Sequence, residues 1–403
     1  MDRRPYLDTG LERLPWWSAF DPRCSLRARA VCLVAAGGGG FAALLIWLAG
    51  GVVEREVRST RGAAYEALAF QLGDKLDRAL YERYRTLQHA ASLDTLRRYD
   101  PSPAERRQLL ESLLESSPDF AWIGLADATG RILTGTGKLF ENTDAAQRPW
   151  FRGARDQPYL GPLRENPELA RTVPAGPEGE AATRFLELAV PVQAADGRFH
   201  GVLAAVLRWQ WTRDVQLSVV PEALARERVA ASVYTADGDL LLDSGALGWT
   251  HPPALPPLGE TRRPRGWMIE TAPEGVTFLT GFSRSRGFRE YRGLGWVALV
   301  RQPVRDVLAP VSALRRRLAG WAAGVVAAAV ASAWILAGRH ARRLRSVAAS
   351  AQRIREGDIL AVLPHPAGES ELSRLCRAVG GLVEDLRARP ESPAPPPRRP
   401  EGP

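Results

Sequence analysis

Cysteine is scarce in this chain of 403 residues: Cys24, Cys32 and Cys376 are all there are, and none falls between residues 33 and 375. The central region can therefore hold no disulfide. With no C-x-x-C pair and no His/Cys cluster, a structural zinc site is excluded as well. Lysine is rarer still, confined to Lys75 and Lys138, so the 54 basic residues behind the net charge of +9 are almost all arginine. That charge is local. Residues 1–29 carry six Arg against four acids and residues 339–403 carry twelve against eight, so these two segments hold +6 of the +9. Both segments flank apolar runs, and membrane-adjacent charge explains them better than a nucleic-acid partner does.

Charge itself is missing from two stretches. Residues 30–53 are 24 consecutive uncharged positions and residues 318–338 another 21. Each exceeds the roughly 20 residues a helix needs to cross about 30 Å of hydrocarbon. The competing reading of the first, a cleaved signal peptide, has to accommodate a run longer than the usual apolar core and no persuasive cleavage site. Arg23, Arg27 and Arg29 precede the first run, while Arg339, Arg342, Arg343 and Arg345 follow the second. The excess of basic residues on the cytoplasmic side then puts both termini inside and residues 54–317 outside. Arg315, Arg316 and Arg317 oppose that assignment locally. Gly320, Gly324, Ala328 and Ser332 recur every fourth position, a pattern that favours close helix approach but also arises by chance in Ala-rich helices.

The outer region opens with a Pro-free stretch, residues 56–96, in which Leu68, Leu72, Leu76, Leu80 and Leu87 recur near helical spacing. Pro101 and Pro103 stop it, and residues 104–116 resume a helix. The period then changes to that of strands. Residues 120–126 and 131–134 flank a D-A-T-G turn at 127–130, and residues 231–235 and 239–242 flank A-D-G at 236–238. Residues 185–192 and 201–207, with Asp196-Gly197 between them, make a third strand–turn–strand unit, and 267–269, 276–283 and 294–300 continue as strands. A long helix followed by two sets of hairpins implies an α+β protein with two modules on one stalk.

Three passages carry a resemblance: DAAQRPWFR at 144–152, LAVPV at 188–192 with DGRFHGVL at 196–203, and GLGWV at 293–297 with RQP at 301–303. In order and spacing, residues 54–317 resemble the double Cache (tandem PAS-like) sensor domains of bacterial transmembrane receptors. The resemblance implies a distal module at about 100–220, a proximal module at about 225–305, and a small-molecule pocket in the distal one. The pocket residues it implies are Arg148, Trp150, Phe151 and, as a looser member, Tyr159. A guanidinium suits a carboxylate bidentately and an indole supplies an apolar wall. A structural role competes: Trp150 and Phe151 as core, with Arg148 capping a loop. The chain departs from the amino-acid-binding form of the family, with Thr143 for a Tyr, Phe151 for a Tyr, and Val206 where an Asp holds the ligand's ammonium group. That last change disfavours an α-amino ligand and leaves a carboxylate. Trp209 and Trp211 fit packing at a strand end, and His89, His200 and His251 are too scattered for a metal or catalytic role.

Beyond the second run, Leu344, Val347, Ala351 and Ile354 are spaced 3-4-3, and Leu372, Leu375, Val379, Leu382 and Leu386 repeat 3-4-3-4 across a connector at 359–369. Two such seams cannot bury themselves, so they call for a second copy of the chain. The segment 339–389 resembles a HAMP linker domain, with Gly357-Asp358 and Glu371-Leu372 at its expected steps and without the usual early Pro. An amphipathic pair lying on the membrane is the alternative. Residues 390–403 are Pro-rich and are expected to be disordered. His365 lies beside Pro364 and Pro366, and Gly380-Gly381 lies inside the second heptad repeat, so neither marks a kinase or cyclase. The expected architecture is a tail at 1–29, a span at 30–53, a periplasmic sensor at 54–317, a span at 318–338 and the HAMP-like relay. The expected function is ligand sensing by a homodimer of the bacterial inner membrane that signals to a separate cytoplasmic protein. It needs no cofactor and has no enzymatic activity. A non-signalling envelope binding or scaffold protein, or a receptor remnant without its output domain, remain the alternatives.

Overall fold

The computed structural model describes residues 26–98, 102–173, 184–249, 253–258, 263–355, 374, 377–378 and 380–381. The N-terminal tail to residue 25, most of the second relay helix with its Leu372 and Leu375 seam, and the Pro-rich end lie outside the described residues, as do His251 and His365. The chain divides into two units, residues 52–311 and residues 1–51 with 312–403.

The larger unit is organised by the first helix, α1 (Leu26–Ala91). Past residue 52, its Tyr65, Ala69, Leu72, Leu76, Leu80 and Leu87 are at most 2% exposed and belong to one apolar cluster. Their spacing of three, four or seven residues puts them on a single helical face. That face takes on two antiparallel sheets at once: Ile123, Leu125, Leu188 and Leu203 of the first and Val233, Leu279, Ala298 and Val300 of the second share the same cluster. Each leucine so buried stabilises by about 1.5–3 kcal/mol. Helix α1 ends at Ala91, about five residues earlier than its apolar periodicity implies. The Ser92 hydroxyl donates to the His89 carbonyl at 2.7 Å and Leu93 N–H to Ala90 at 3.1 Å, closing the last turn. The short α2 (Asp94–Arg97) and α3 (Pro103–Ser116) follow. The start of α3 is fixed by Pro103 at its first turn and a capping box between Ser102 and Glu105.

The first sheet contains β1 (Phe120–Asp127), β2 (Ile132–Gly135), β3 (Tyr159–Leu160), β4 (Arg164–Glu165), β5 (Arg184–Gln193) and β6 (Phe199–Arg208) in the order β2-β1-β6-β5-β3, with β4 beside β5. Helices α4 (Pro149–Gly153) and α5 (Pro167–Thr172) lie in the long connection between β2 and β5. After α6 (Trp211–Val219) and α7 (Glu222–Arg226), the second sheet contains β7 (Ala230–Tyr234), β8 (Leu240–Asp243), β9 (Arg265–Thr271), β10 (Thr277–Arg284) and β11 (Val297–Pro303). Its order, β8-β7-β11-β10-β9, repeats that of the first sheet strand for strand. The D-A-T-G turn closes β1 on β2: the Asp127 carboxylate accepts from Thr129 N–H, Thr129 hydroxyl and Arg131 N–H, and Gly130 takes φ +97°. In the second sheet Gly281 permits contact with the stalk, because a Cβ there would sit 2.2 Å from the Tyr65 backbone.

Within the smaller unit, α1 up to residue 51 runs antiparallel to α9 (Ala309–Arg355), which follows the single turn α8 (Val304–Val307). The contacts keep a constant register: the Arg27 guanidinium donates to the Gly338 carbonyl at 2.9 Å, Gly38 faces Val326 and Gly50 faces Arg315. Both helices are long and apolar enough to cross a membrane. Trp47 and Trp321 on them are 72% and 78% exposed. The first relay seam is a continuation of α9, which runs to Arg355 without interruption.

Leu76→Ala is expected to destabilise the chain by about 2–5 kcal/mol. Chemical denaturation of the detergent-solubilised protein, followed by tryptophan fluorescence, measures it; a change under about 0.5 kcal/mol would show that the stripe is not the shared core.

Candidate functional site

Strand alternation gives the first sheet two unlike faces. Leu186, Leu188, Leu203, Ala205 and Leu207 point to the stalk, while Phe185, Ala189, Val202, Ala204 and Val206 point the other way into a second cluster with Trp122, Trp150 and Phe151. On that outer face the ladder aligns a row: Trp122 of β1 pairs with Val206 of β6, and Val206 pairs with Glu187 of β5. This row is the floor of a cavity of about 260 Å³. Its roof comes from the β2–β3 connection and α5, with Phe140, Thr143, Asp144, Ala145, Arg148, Trp150, Asn166 and Leu169.

The roof is built by local hydrogen bonds. Ile132 N–H donates to Thr143 O at 3.0 Å, Asn142 N–H to Ile132 O at 2.8 Å and Ala145 N–H to Gly130 O at 2.8 Å, folding the connection back on β2. Lys138, Phe140 and Asn142 all adopt positive φ (61°, 62° and 62°). For a bulky residue such as Phe140 this backbone is strained, and it persists where the surroundings over-determine it. Here they do. The Phe140 ring meets Trp122 edge to face at 5.6 Å, Trp122 Nε1–H donates to Leu139 O at 3.3 Å, and the Asn142 neighbour Glu141 binds Arg107 of α3 at 2.7 Å. Burial works against the Glu141 charge, but the Arg107 hydrogen bond and the Gly135 N–H outweigh it and hold the carboxyl below its ordinary range. Asn166 caps α5 by accepting from Leu169 N–H at 2.9 Å.

Of the four residues singled out in the sequence, two line this cavity. Arg148 sits at the N-cap of α4, ahead of Pro149, and among the described residues its side chain makes no hydrogen bond or ion pair. Trp150 is 7% exposed and forms part of the wall. Phe151, one residue on, turns into the core beneath α4 and meets Trp150 edge to face at 6.0 Å. Tyr159 lies on β3 and lines a different cleft of about 470 Å³, with Tyr84, Leu188, Glu290 and Tyr291. Burial raises its hydroxyl pKa.

Val206 does lie on the floor, yet the cavity is not without an acid. Glu187 occupies the next strand at the same level and lines the cavity, an acid that the site residues read from the sequence did not include. Burial pushes the Glu187 carboxyl up, against the opposite pull of Arg148 and Arg164. Its sequence signal was available: it is the one acid in the otherwise apolar run FLELAVPV. Trp122, Phe140 and Asn166 gave no such signal. The outer face of the second sheet differs. There Arg301, 1% exposed, lies 3.8 Å from Glu270 and stacks over Tyr234 and Trp249, so its charges and rings occupy one another.

Comparison with known proteins matches residues 335–388 to the HAMP domain family. No curated protein matches the chain. Among solved structures the chain is similar to the extracellular domain of the histidine kinase rpHK1S-Z16, at 20% identity over 62% of this chain and 97% of that one, with a TM-score of 0.46. It is also similar to the ligand-binding domain of the Pseudomonas fluorescens chemoreceptor CtaA in complex with L-serine, at 21% identity, 61% and 98% coverage and TM-score 0.42. A third is the ligand-binding domain of the Pseudomonas aeruginosa PAO1 amino-acid chemoreceptor PctB in complex with L-Arg, at 22%, 59% and 92%, TM-score 0.41. The chain thus carries a HAMP segment after a mixed α/β region with two antiparallel sheets.

The Glu141–Arg107 contact makes a pH prediction. Because the folded state lowers the Glu141 pKa, its contribution is present above the ordinary carboxylate value and is lost as pH falls through the lowered one. Glu141→Gln should lower stability by up to about 1 kcal/mol at pH 7 and show a smaller loss on acidification than the parent. Thermal melts at pH 7 and pH 3.5 check it; equal acid sensitivity in both proteins would refute it.

Proposed function

We propose that this chain is a transmembrane signal-transduction sensor of the bacterial inner membrane. Residues 54–317 face the periplasm, the cavity over β1, β6 and β5 binds a small ligand, and the HAMP segment passes the resulting change to a separate cytoplasmic protein. The observation that carries the reading is a pocket lined by the Arg148 guanidinium beside the Trp150 wall. It is built on the same helix α1 whose first part is apolar enough to span a bilayer. The HAMP match supports the relay. Arg148 presents a planar donor fork that suits a carboxylate, and Trp150 supplies an apolar wall beside it.

The two sheets are read as tandem PAS-like modules, the first holding the ligand and the second, with its interior occupied by Arg301 and Glu270, coupling to α9. The relay works as a homodimer, since a pair of heptad-patterned helices completes its seam only against a second pair. A Cβ added at Gly320 or Gly324 would meet nothing within 4 Å beyond its own helix among the described residues, which suits that side of α9 to a second copy. No catalytic role is assigned to any residue.

Three outcomes test this. Small carboxylates should raise the melting temperature of the purified chain, and Arg148→Ala should remove that shift without altering the ligand-free melt. Leu375→Asp should abolish signalling in cells while leaving the shift intact. A reporter fused near residue 200 should be active in the periplasm; cytosolic activity there would overturn the sensor reading.

A further inference from the structure

The cleft beside Tyr159 shares no lining residue with the cavity over β1, β6 and β5. It encloses about 470 Å³, within the range of small-molecule sites, and lies where the edge strand β3 meets the β10–β11 connection beside α1. Its floor is core. Leu188 is 1% exposed, and Tyr84, Leu160, Tyr291 and Leu294 are half-buried side chains packed on the same apolar cluster as the stalk. The shared core is thus left uncovered along one margin, and apolar surface exposed in a concave place favours an occupant.

Both walls of the cleft are anchored. Tyr159 is wedged against two glycines: a Cβ on Gly153 of α4 would lie 2.3 Å from its ring, and one on Gly161 3.2 Å. The opposite wall is a loop with its own bridge, Phe288 N–H donating to Tyr291 O at 2.9 Å and Tyr291 N–H to Phe288 O at 3.0 Å. Asp77 of α1 fixes that loop by accepting from the Ser285 hydroxyl at 2.7 Å and Gly287 N–H at 3.0 Å. The Tyr81 hydroxyl donates to Glu290 at 2.9 Å. Walls held in this way are preformed, so a ligand does not have to order them. Tyr84, Tyr159 and Tyr291, with Pro158, suit a flat ring. The Tyr291 hydroxyl is itself buried and adds no polar group to the cleft.

Two charged residues line it, Glu290 and Arg292. The Glu290 carboxyl is held below its ordinary range by its own backbone N–H, then by Tyr81, Arg85 and Arg289, so its charge is already met. Arg292 is exposed and brings a planar donor fork that suits a carboxylate.

We propose that this cleft is a second binding site, for a flat aromatic ring that bears a carboxylate: the ring lies against the tyrosines and the Leu188 floor, and the carboxylate reaches Arg292. The site is independent of the reading of the cavity over the first sheet as a ligand site. A molecule seated here touches β3 of the first sheet, the β10–β11 connection of the second and the stalk helix at once, whereas the lining of the cavity belongs to the first sheet and its connections alone.

The test is isothermal titration of the full chain in detergent at pH 7 with benzoate, benzamide and cyclohexanecarboxylate. Benzoate should bind about fivefold tighter than cyclohexanecarboxylate, which has the charge without the flat ring, and tighter than benzamide, which has the ring without the charge. Arg148→Ala, which alters only the cavity, should leave benzoate binding unchanged. Arg292→Gln should bring benzoate down to the affinity of benzamide. Tyr84→Ala should weaken both aromatic probes by about tenfold; Leu294→Trp, which fills the cleft, repeats the measurement should the first variant melt early. Benzoate binding that disappears in Arg148→Ala, that is no tighter than that of either control, that keeps its margin over benzamide in Arg292→Gln, or that both cleft variants leave unmoved overturns the proposal. Failure of benzoate to bind the parent chain overturns it too. None of these results bears on the melting shift expected from small carboxylates through Arg148, which tests the cavity separately.

Discussion

The burial of one helical face against two sheets is the constraint from which the rest of this structure follows. The leucines at 72, 76, 80 and 87 and the tyrosine at 65 are buried in one apolar cluster with residues of both sheets. The inner faces of both sheets join the helix in that one cluster. What is left for function is the outer face, where the loops are. Strand alternation then makes the choice of pocket residues almost automatic, because every second side chain of β1, β5 and β6 must point there.

The two outer faces use that freedom in opposite ways. On the second sheet, arginine, acid and aromatic rings fill the space and neutralise one another, and the result is a core. On the first, a strained connection with Phe140 and Asn142 in left-handed backbone arches over the sheet and keeps a void open. The arch is tied to α3 by Glu141 and Arg107, and α3 packs on the same core as the stalk.

Much of this could be read from the residues before any coordinates. The hairpins were legible because apolar alternation and turn residues coincide: 120–126 and 185–192 fall within β1 and β5, and the D-A-T-G turn lies where the chain reverses. The end of α1 was not, because Ser92 and Leu93 close it by backbone and hydroxyl hydrogen bonds that leave the apolar period undisturbed. For the cavity, the Arg148-Pro-Trp150 motif falls on the connection that lines it. It could not separate Trp150 from Phe151, since one residue along a helical turn swings a side chain by about 100° and so from cavity to core. Glu187 went unweighed because a strand reads as apolar on average, while its chemistry rests on a single position. Phe140 was beyond reach, as its placement depends on a backbone conformation that sequence pattern does not encode.

The junction after the second sheet has a mechanical meaning. Strand β11 ends at Pro303, α8 begins at Val304, and only Leu308 separates α8 from α9. No slack segment intervenes that could absorb a shift, and α9 then runs on to Arg355 as one helix. Within such a helix length is phase: each residue adds about 1.5 Å of rise and about 100° of rotation. The number of residues in this stretch is thus as much a part of the device as their identity. Two chains of equal composition but unequal length here would present different edges to whatever lies beyond.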